Sequence, residues 1–225
     1  GGIANTDITD LLLEGLNRLE YRGYDSSGLV ALSKDNKLVR QRAIGKVCNL
    51  KNKLKINKIK GTIGLAHTRW ATHGAPTNKN AHPHISKDLT SVVHNGIIEN
   101  YIDLKALQIE QGYEFSSDTD TEVIAHAIDF SLQTSNSLLE AVQKALRTFE
   151  GSYGLGIISS NHPNTLIAAR KGSPLLIGIG NNGNYIASDQ MALLSATKRF
   201  IFLEEGDIAE LSLENVTIYN KAGDI

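Results

Sequence analysis

Near the start of the chain, apolar side chains recur at Ile8, Leu11, Leu12, Leu16 and Leu19. Steps of three and four residues place them on one face of an α-helix, and Asp7 stands where an N-cap accepts a free backbone N–H. The pattern then changes to strands. Gly28–Leu32 and Leu38–Arg42 read as a hairpin turned by Asp35-Asn36. Lys46–Leu54 reads as a short helix. Thr62–His67 and Leu89–His94 read as strands on either side of a polar loop, Thr72–His84. A helical block follows, with one helix near Ile97–Gln111, a second from Thr119 and a third from Ser137. The last two open on Thr119-x-x-Glu122 and Ser137-x-x-Glu140, the spacing of a capping box. Beyond Glu150 strands return, at Tyr153–Ser159, Thr165–Arg170, Leu175–Gly180, Tyr185–Ser188, Phe200–Glu204, Ile208–Leu211 and Val216–Tyr219.

Strands thus fall in hairpin-spaced groups around a helical block, without strict βαβ alternation. This predicts an α+β fold, with antiparallel sheets and helices on their faces. No repeat, low-complexity segment or Pro/Gly/Ser linker divides the 225 residues, so one domain over 1–225 is expected.

Composition narrows the function. Hydrophobic residues at 41% and charged residues at 21% are ordinary for a globular domain. The 23 basic and 24 acidic side chains leave a formal charge of −1, with no cationic excess for nucleic-acid phosphates. The longest apolar stretches, such as Pro174–Gly180, are too short to span a bilayer, and Gly1–Leu13 has no basic leader region. The single cysteine, Cys48, excludes an internal disulfide and fits a reducing cytoplasm. A cytoplasmic protein without nucleic-acid or membrane partners is expected.

Three local signals are set aside. Gly178-x-Gly180-x-x-Gly183 has dinucleotide-fingerprint spacing, but a strand rather than a helix follows it, so it reads as a hairpin turn. His82-Pro83-His84 lacks nearby Cys, Asp or Glu at metal-ligand spacing and reads as a loop ordered by hydrogen bonds. Cys48 has no His partner in local sequence and reads as buried or half-buried filler on a helix. No metal or cofactor is expected.

Three polar clusters, at strand ends or helix starts, carry candidate chemistry. In His67-Thr68-Arg69-Trp70-Ala71-Thr72-His73-Gly74, Arg69 offers a planar fork for a carboxylate, and Thr72 and His73 add donors. In His94-Asn95-Gly96-Ile97, a side-chain amide beside a glycine N–H is one way to build an oxyanion hole, although alone it is also an ordinary Asn-Gly turn. In Asp118-Thr119-Asp120-Thr121-Glu122, Asp120 suits an ammonium group, or equally a helix dipole. Together they describe a site for an α-amino acid: Arg69 for the carboxylate, Asp120 for the amine, Asn95 and Gly96 for a developing oxyanion. The trio contains no nucleophile.

Leu13–Gly28, with Tyr21-Arg22-Gly23-Tyr24-Asp25 at its heart, closely resembles the opening segment of the glucosamine-6-phosphate synthase family, the isomerizing glutamine:fructose-6-phosphate aminotransferases. His67–Gly74, His94–Asn100, Thr119–His126, Ala187–Gln190 and Arg199–Asp207 match the same family in the same order. The resemblance covers essentially the whole chain, as a glutaminase (class II glutamine amidotransferase) domain. It implies an N-terminal-nucleophile hydrolase fold, a four-layer αββα sandwich with two antiparallel sheets. The implied activity is hydrolysis of L-glutamine to glutamate and ammonia through a thioester on an N-terminal cysteine, whose own amine is the base. Sugar isomerase domains of the same polypeptide would use the ammonia to make glucosamine 6-phosphate from fructose 6-phosphate, in a homodimer. They lie outside this chain.

By position, the resemblance assigns Arg69, Thr72 and His73 to the glutamine carboxylate, Asp120 and the Gly96 carbonyl to the amine, and Asn95 with the Gly96 N–H to the oxyanion hole. Trp70 belongs to a loop that closes over glutamine, and Arg22 lies near the catalytic terminus. The family opens Cys-Gly-Ile-Val and then runs into a stretch like Gly1-Gly2-Ile3-Ala4. The nucleophilic cysteine is therefore expected four residues ahead of Gly1. The competing expectation, for a polypeptide that truly starts at Gly1, is an inactive glutamine-binding module.

Overall fold

The structure is a computed structural model that describes residues 1–70 and 74–225. Its elements run β1 (Gly2–Ala4), α1 (Thr9–Leu19), a 3-10 turn (Glu20–Arg22), the hairpin β2 (Ser26–Leu32) and β3 (Leu38–Ile44), α2 (Val47–Ile56), β4 (Ile63–Arg69), β5 (His84–Ser86) and β6 (Thr90–Ile98). The helices α3 (Tyr101–Glu110), α4 (Glu122–Leu132) and α5 (Leu138–Leu146) follow. Then come β7 (Gly151–Ser159), β8 (His162–Lys171), β9 (Leu176–Ile179), β10 (Gly183–Ala187), a second 3-10 turn (Gln190–Leu193), β11 (Phe200–Phe202), β12 (Ile208–Leu211) and β13 (Val216–Tyr219).

Two sheets form, in the orders β11-β9-β10-β1-β4-β2-β3 and β13-β12-β8-β7-β6-β5. Neighbouring strands pair antiparallel throughout. Three apolar clusters show the layering. Leu12, Leu13 and Leu16 of α1 and Leu50 of α2 pack on Leu29 and Ala31 of β2. The opposite face of β2, Val30 and Leu32, meets Leu166 and Ala168 of β8, so sheet lies on sheet. The far face of β8, Ile167 and Ala169, packs against Ile124, Ile128 and Val142 of α4 and α5. The order helix, sheet, sheet, helix is the expected αββα sandwich. Its central strands are buried on both faces, so they read as continuous apolar runs and not as an alternation.

The local chemistry explains most boundaries. Asp7 Oδ1 accepts from the Thr9 N–H at 3.1 Å and its hydroxyl at 2.8 Å, which anchors the start of α1. Ser137 caps α5 by accepting the Glu140 N–H at 3.1 Å, while the Glu140 carboxylate reaches back to the Asn136 N–H at 2.8 Å. The Gly178–Gly183 motif is the β9–β10 hairpin, with Gly180 N–H bonded to the Gly183 carbonyl.

Three expectations need correction. Ile97 and Ile98 belong to β6, paired with Ser152 and Gly151, so α3 starts only at Tyr101. Thr119-x-x-Glu122 is not a capping box. The Glu122 carboxylate takes the backbone N–H and hydroxyl of both Ser116 and Ser117, and α4 begins at Glu122 itself. Cys48 lies on α2 as expected, but it is exposed and fills no core space. The three-residue strands β1 and β5 are additions that sequence periodicity did not reveal.

Candidate active site

A cavity of about 390 Å³ opens where β4, β6 and the segment leading into α4 meet. Arg22, Arg69, Trp70, Asn95, Gly96 and Asp120 all line it. Residues from three separate sequence clusters therefore share one wall. Thr72 and His73 lie outside the described residues.

Arg69 ends β4 and is buried. Its guanidinium donates to the carbonyls of Gly74 at 3.0 Å and Ala75 at 3.4 Å, with the Asp25 carboxylate at 3.7 Å. The Arg69 carbonyl accepts from the Asp25 N–H at 2.8 Å. The side chain thus organises the loop after β4 as well as facing the cavity. Trp70, the next residue, is 69% exposed. Its ring lies over Gly23, where a Cβ would sit 1.7 Å from Cζ3, and Gly23 has φ +104°. Only glycine fits there, on both counts. Beside it, Arg22 Nη2 reaches Ser188 Oγ at 3.3 Å and Asp189 Oδ2 at 3.5 Å, and the Tyr21 hydroxyl reaches the same Asp189 oxygen at 3.1 Å. The Tyr21–Asp25 and Ala187–Gln190 motifs, far apart in sequence, thereby form one lip of the cavity.

Asn95 and Gly96 sit on β6, paired with Gly154 and Tyr153 of β7. Gly96 has φ +137°, and a Cβ there would lie 2.1 Å from the Ser152 carbonyl oxygen. Asn95 Oδ1 accepts from His67 Nε2 at 2.7 Å, which leaves its NH₂ for the cavity it lines. Asp120 is buried and accepts the Ile98 N–H at 2.8 Å on Oδ2. A carboxylate buried in this way has capacity for a further donor and disfavours any neighbour that does not supply one.

The same wall carries histidines: His67, His82 and His94 line the cavity, and His84 lies beside them. His94 Nε2–H donates to the Ser152 carbonyl at 3.3 Å, which leaves Nδ1 to accept from the Thr121 hydroxyl at 3.0 Å in preference to that hydroxyl's longer 3.5 Å contact with Asp120 Oδ1. Thr121 then accepts from His82 Nε2–H at 2.9 Å. His84 Nε2 pairs with Thr119 Oγ1 at 3.1 Å. His82 and His84 are thus committed to threonine hydroxyls, which is the loop-ordering role expected of them. Burial pushes all four rings toward the neutral form. His67 falls to about 4, and His82 and His84 lie well below the usual histidine value. His94 is lowered too, since burial outweighs the opposing pull of Asp120. With these rings uncharged, Arg69 and Asp120 are the buried charged side chains of the wall among the described residues, of opposite sign.

Glu122 fixes the approach to Asp120. Burial pushes its carboxyl up, but the hydrogen bonds from Ser117 and Ser116 prevail and hold it below the usual carboxylate range. Sequence reasoning did not single out His67, His82, His84, His94, Thr119 and Thr121 as one assembly. Their only signal was the number of histidines near predicted strand ends.

A buried cation, a buried anion and an amide beside a glycine N–H suit a zwitterion whose third polar group is a carbonyl. Residues 67–195, more than half of the chain, match the family described as the glutamine amidotransferase domain, and the chain belongs to that family. It is 52% identical over 223 residues to the glutamine–fructose-6-phosphate aminotransferase (isomerizing) of Haemophilus influenzae, and equally so to that of Escherichia coli K12. The corresponding Photorhabdus laumondii protein is 53% identical. Each match covers 99% of this chain and 36% of the relative, so the chain spans about a third of their length. Among solved structures, the glutamine phosphoribosylpyrophosphate amidotransferase of Bacillus subtilis superposes with a TM-score of 0.82 at 24% identity, over 100% of this chain and 49% of that one. A structure described as the allosteric regulatory enzyme of purine biosynthesis gives 0.83 at 26%, with the same coverage. The fold is that of the N-terminal-nucleophile hydrolases. No helix among the described residues is long and apolar enough to cross a membrane.

Proposed function

We propose that this domain hydrolyses L-glutamine to glutamate and ammonia. In a longer polypeptide, isomerase domains would use the ammonia to convert fructose 6-phosphate to glucosamine 6-phosphate, in a cytoplasmic homodimer. The observation that carries the reading is the convergence of Arg69, Asp120 and Asn95-Gly96 on one cavity. Arg69, helped by Thr72 and His73, takes the α-carboxylate. Asp120 and the Gly96 carbonyl take the α-ammonium. The side-chain carbonyl then points at the Asn95 NH₂ and the Gly96 N–H, which stabilise the charge that develops on its oxygen.

The nucleophile in this reading is a cysteine thiol ahead of Gly1, with its α-amine as base. Attack gives a tetrahedral intermediate, ammonia leaves with the proton from the thiol, and water releases glutamate from the thioester. Sheet register supports the assignment. β1 lies between β10 and β4, with Gly2 opposite Gly64. A strand that continues β1 backward in that register passes along β4 and brings the fourth residue ahead of Gly1 opposite Arg69, at the cavity. Cys48 is no substitute, since it is exposed on α2 and does not line the cavity.

The test is a crystal structure with L-glutamine bound. The account predicts the carboxylate on Arg69 and the ammonium on Asp120. Glutamine bound elsewhere, or bound in the reverse sense, would overturn it.

A further inference from the structure

An asparagine side chain has a donor end and an acceptor end of nearly the same shape. Asn95 serves an oxyanion only with its NH₂ turned into the cavity. The opposite setting would aim a carbonyl dipole at developing negative charge. A neighbouring group hydrogen-bonded to the Asn95 side chain can make this choice.

That group is on the other sheet. His67 belongs to β4 and Asn95 to β6, and the 2.7 Å contact from His67 Nε2 to Asn95 Oδ1 spans the two layers. A protonated Nε2 tolerates only an oxygen opposite it. Among the described residues His67 Nδ1, a buried atom, meets no well-formed hydrogen bond, although the His94 backbone lies close to the ring. A proton on Nδ1 would have no well-placed acceptor, whereas Nε2 lies 2.7 Å from an oxygen, so the proton belongs on Nε2. The ring is also clamped. It lies 4.3 Å from the His82 ring, centroid to centroid, and His82 is itself held by Thr121. Burial keeps His67 neutral near pH 7, so the Nε2–H tautomer persists where the reaction runs.

We propose that His67 is a positioning residue for the oxyanion hole: its Nε2–H grips Asn95 Oδ1 and thereby sets the Asn95 NH₂ toward the reacting carbonyl. The proposal rests on the glutaminase reading above. It gives a task to a histidine that lines the cavity but is assigned no substrate group in that reading.

The test uses the active enzyme that carries this domain, with glutamate release as the readout. His67→Phe keeps a flat ring without a donor, and His67→Gln keeps an N–H of similar reach. H67F should lower kcat by about ten- to a hundredfold, short of the ~100–1,000-fold typical for losing an oxyanion donor itself. KM should stay within about twofold, because the interaction matters in the transition state. H67Q should recover most of the loss. In an Asn95→Ala background, H67F should cost less than about threefold more, since the group it serves is gone. A loss carried by KM, an H67Q as impaired as H67F, or penalties that multiply with N95A would overturn the inference. If N95A is damaging and H67F harmless, only the inference fails. If N95A itself leaves kcat unchanged, the oxyanion reading fails and the inference falls with it. ¹⁵N NMR of the unmutated enzyme supplies a measurement that no folding defect can confound: the proposal requires a proton on His67 Nε2 and none on Nδ1, and the reverse tautomer would refute it.

Discussion

Arg69 joins an observed duty to a proposed one, and a single sequence position reveals neither. Its charge suits a ligand carboxylate, while its guanidinium already donates to the Gly74 and Ala75 carbonyls. Arg69→Ala should therefore raise the glutamine KM by about tenfold or more while kcat changes much less, since a carboxylate clamp supplies mostly uniform binding. Arg69→Lys should not restore the wild-type value, because a point charge cannot reproduce the planar fork that spans two carbonyls. Steady-state kinetics on both variants check this, and an unchanged KM in R69A would remove Arg69 from the site. The roles proposed for Arg69, Asn95 and Asp120 could be framed from sequence because each sits in a polar cluster at an element boundary. Their shared wall was not, because it depends on β4 and β6 lying in different sheets. The His67–Asn95, His82–Thr121 and His84–Thr119 pairs were beyond reach for the same reason. Each links residues 28 to 39 positions apart, and nothing in local periodicity encodes such partners.

Elements were most legible where both halves of a signal are adjacent in sequence. The Ser137 cap is of this kind, since the group it satisfies lies three residues on. The Thr119 box failed although its spacing was right. Ser116 and Ser117 offer Glu122 four donors at 2.6–2.9 Å, and these outcompete a single reach back to Thr119. The start of α3 was misplaced because Ile97 and Ile98 are apolar in either setting. Pairing with β7 decides between strand and helix there, and that is a tertiary choice. β1 was missed because three residues carry no period. Its place in the middle of a seven-stranded sheet comes entirely from β4 and β10 on either side.

At the scale of the molecule, antiparallel sheets with helices on their faces were legible as a class, because strand groups flank a helical block. The stacking of one sheet on the other was not, since a strand buried on both faces shows no alternation that names its partner layer. The same burial makes the fold sensitive to acid. His67, His82, His84, His94 and His126 all have pKa values lowered by burial from the usual 6.5, with His67 at about 4. Between those limits the unfolded chain binds protons that the folded chain refuses, so stability rises with pH. It is fully present above about 6.5 and drains as pH falls toward 4, at up to about 1.4 kcal/mol per pH unit for each such ring. Thermal melts should show a Tm well below its neutral value at about pH 5. A Tm flat from about pH 5 to 7.5 would show that these rings are not held neutral in the fold.

The central claim is that this domain's cavity hydrolyses glutamine with a cysteine standing ahead of Gly1. Glutamate release, measured beside N-terminal sequencing of the same sample, tests it most directly. A polypeptide that begins Cys-Gly-Ile-Val before Gly1 should turn glutamine over. One that begins at Gly1 should bind glutamine weakly and release no glutamate, because it keeps Arg69, Gly96 and Asp120 but has neither the thiol nor the amine base. Measurable turnover from a sample proven to start at Gly1 would contradict the account, and so would a cysteine-bearing sample that binds glutamine without hydrolysing it.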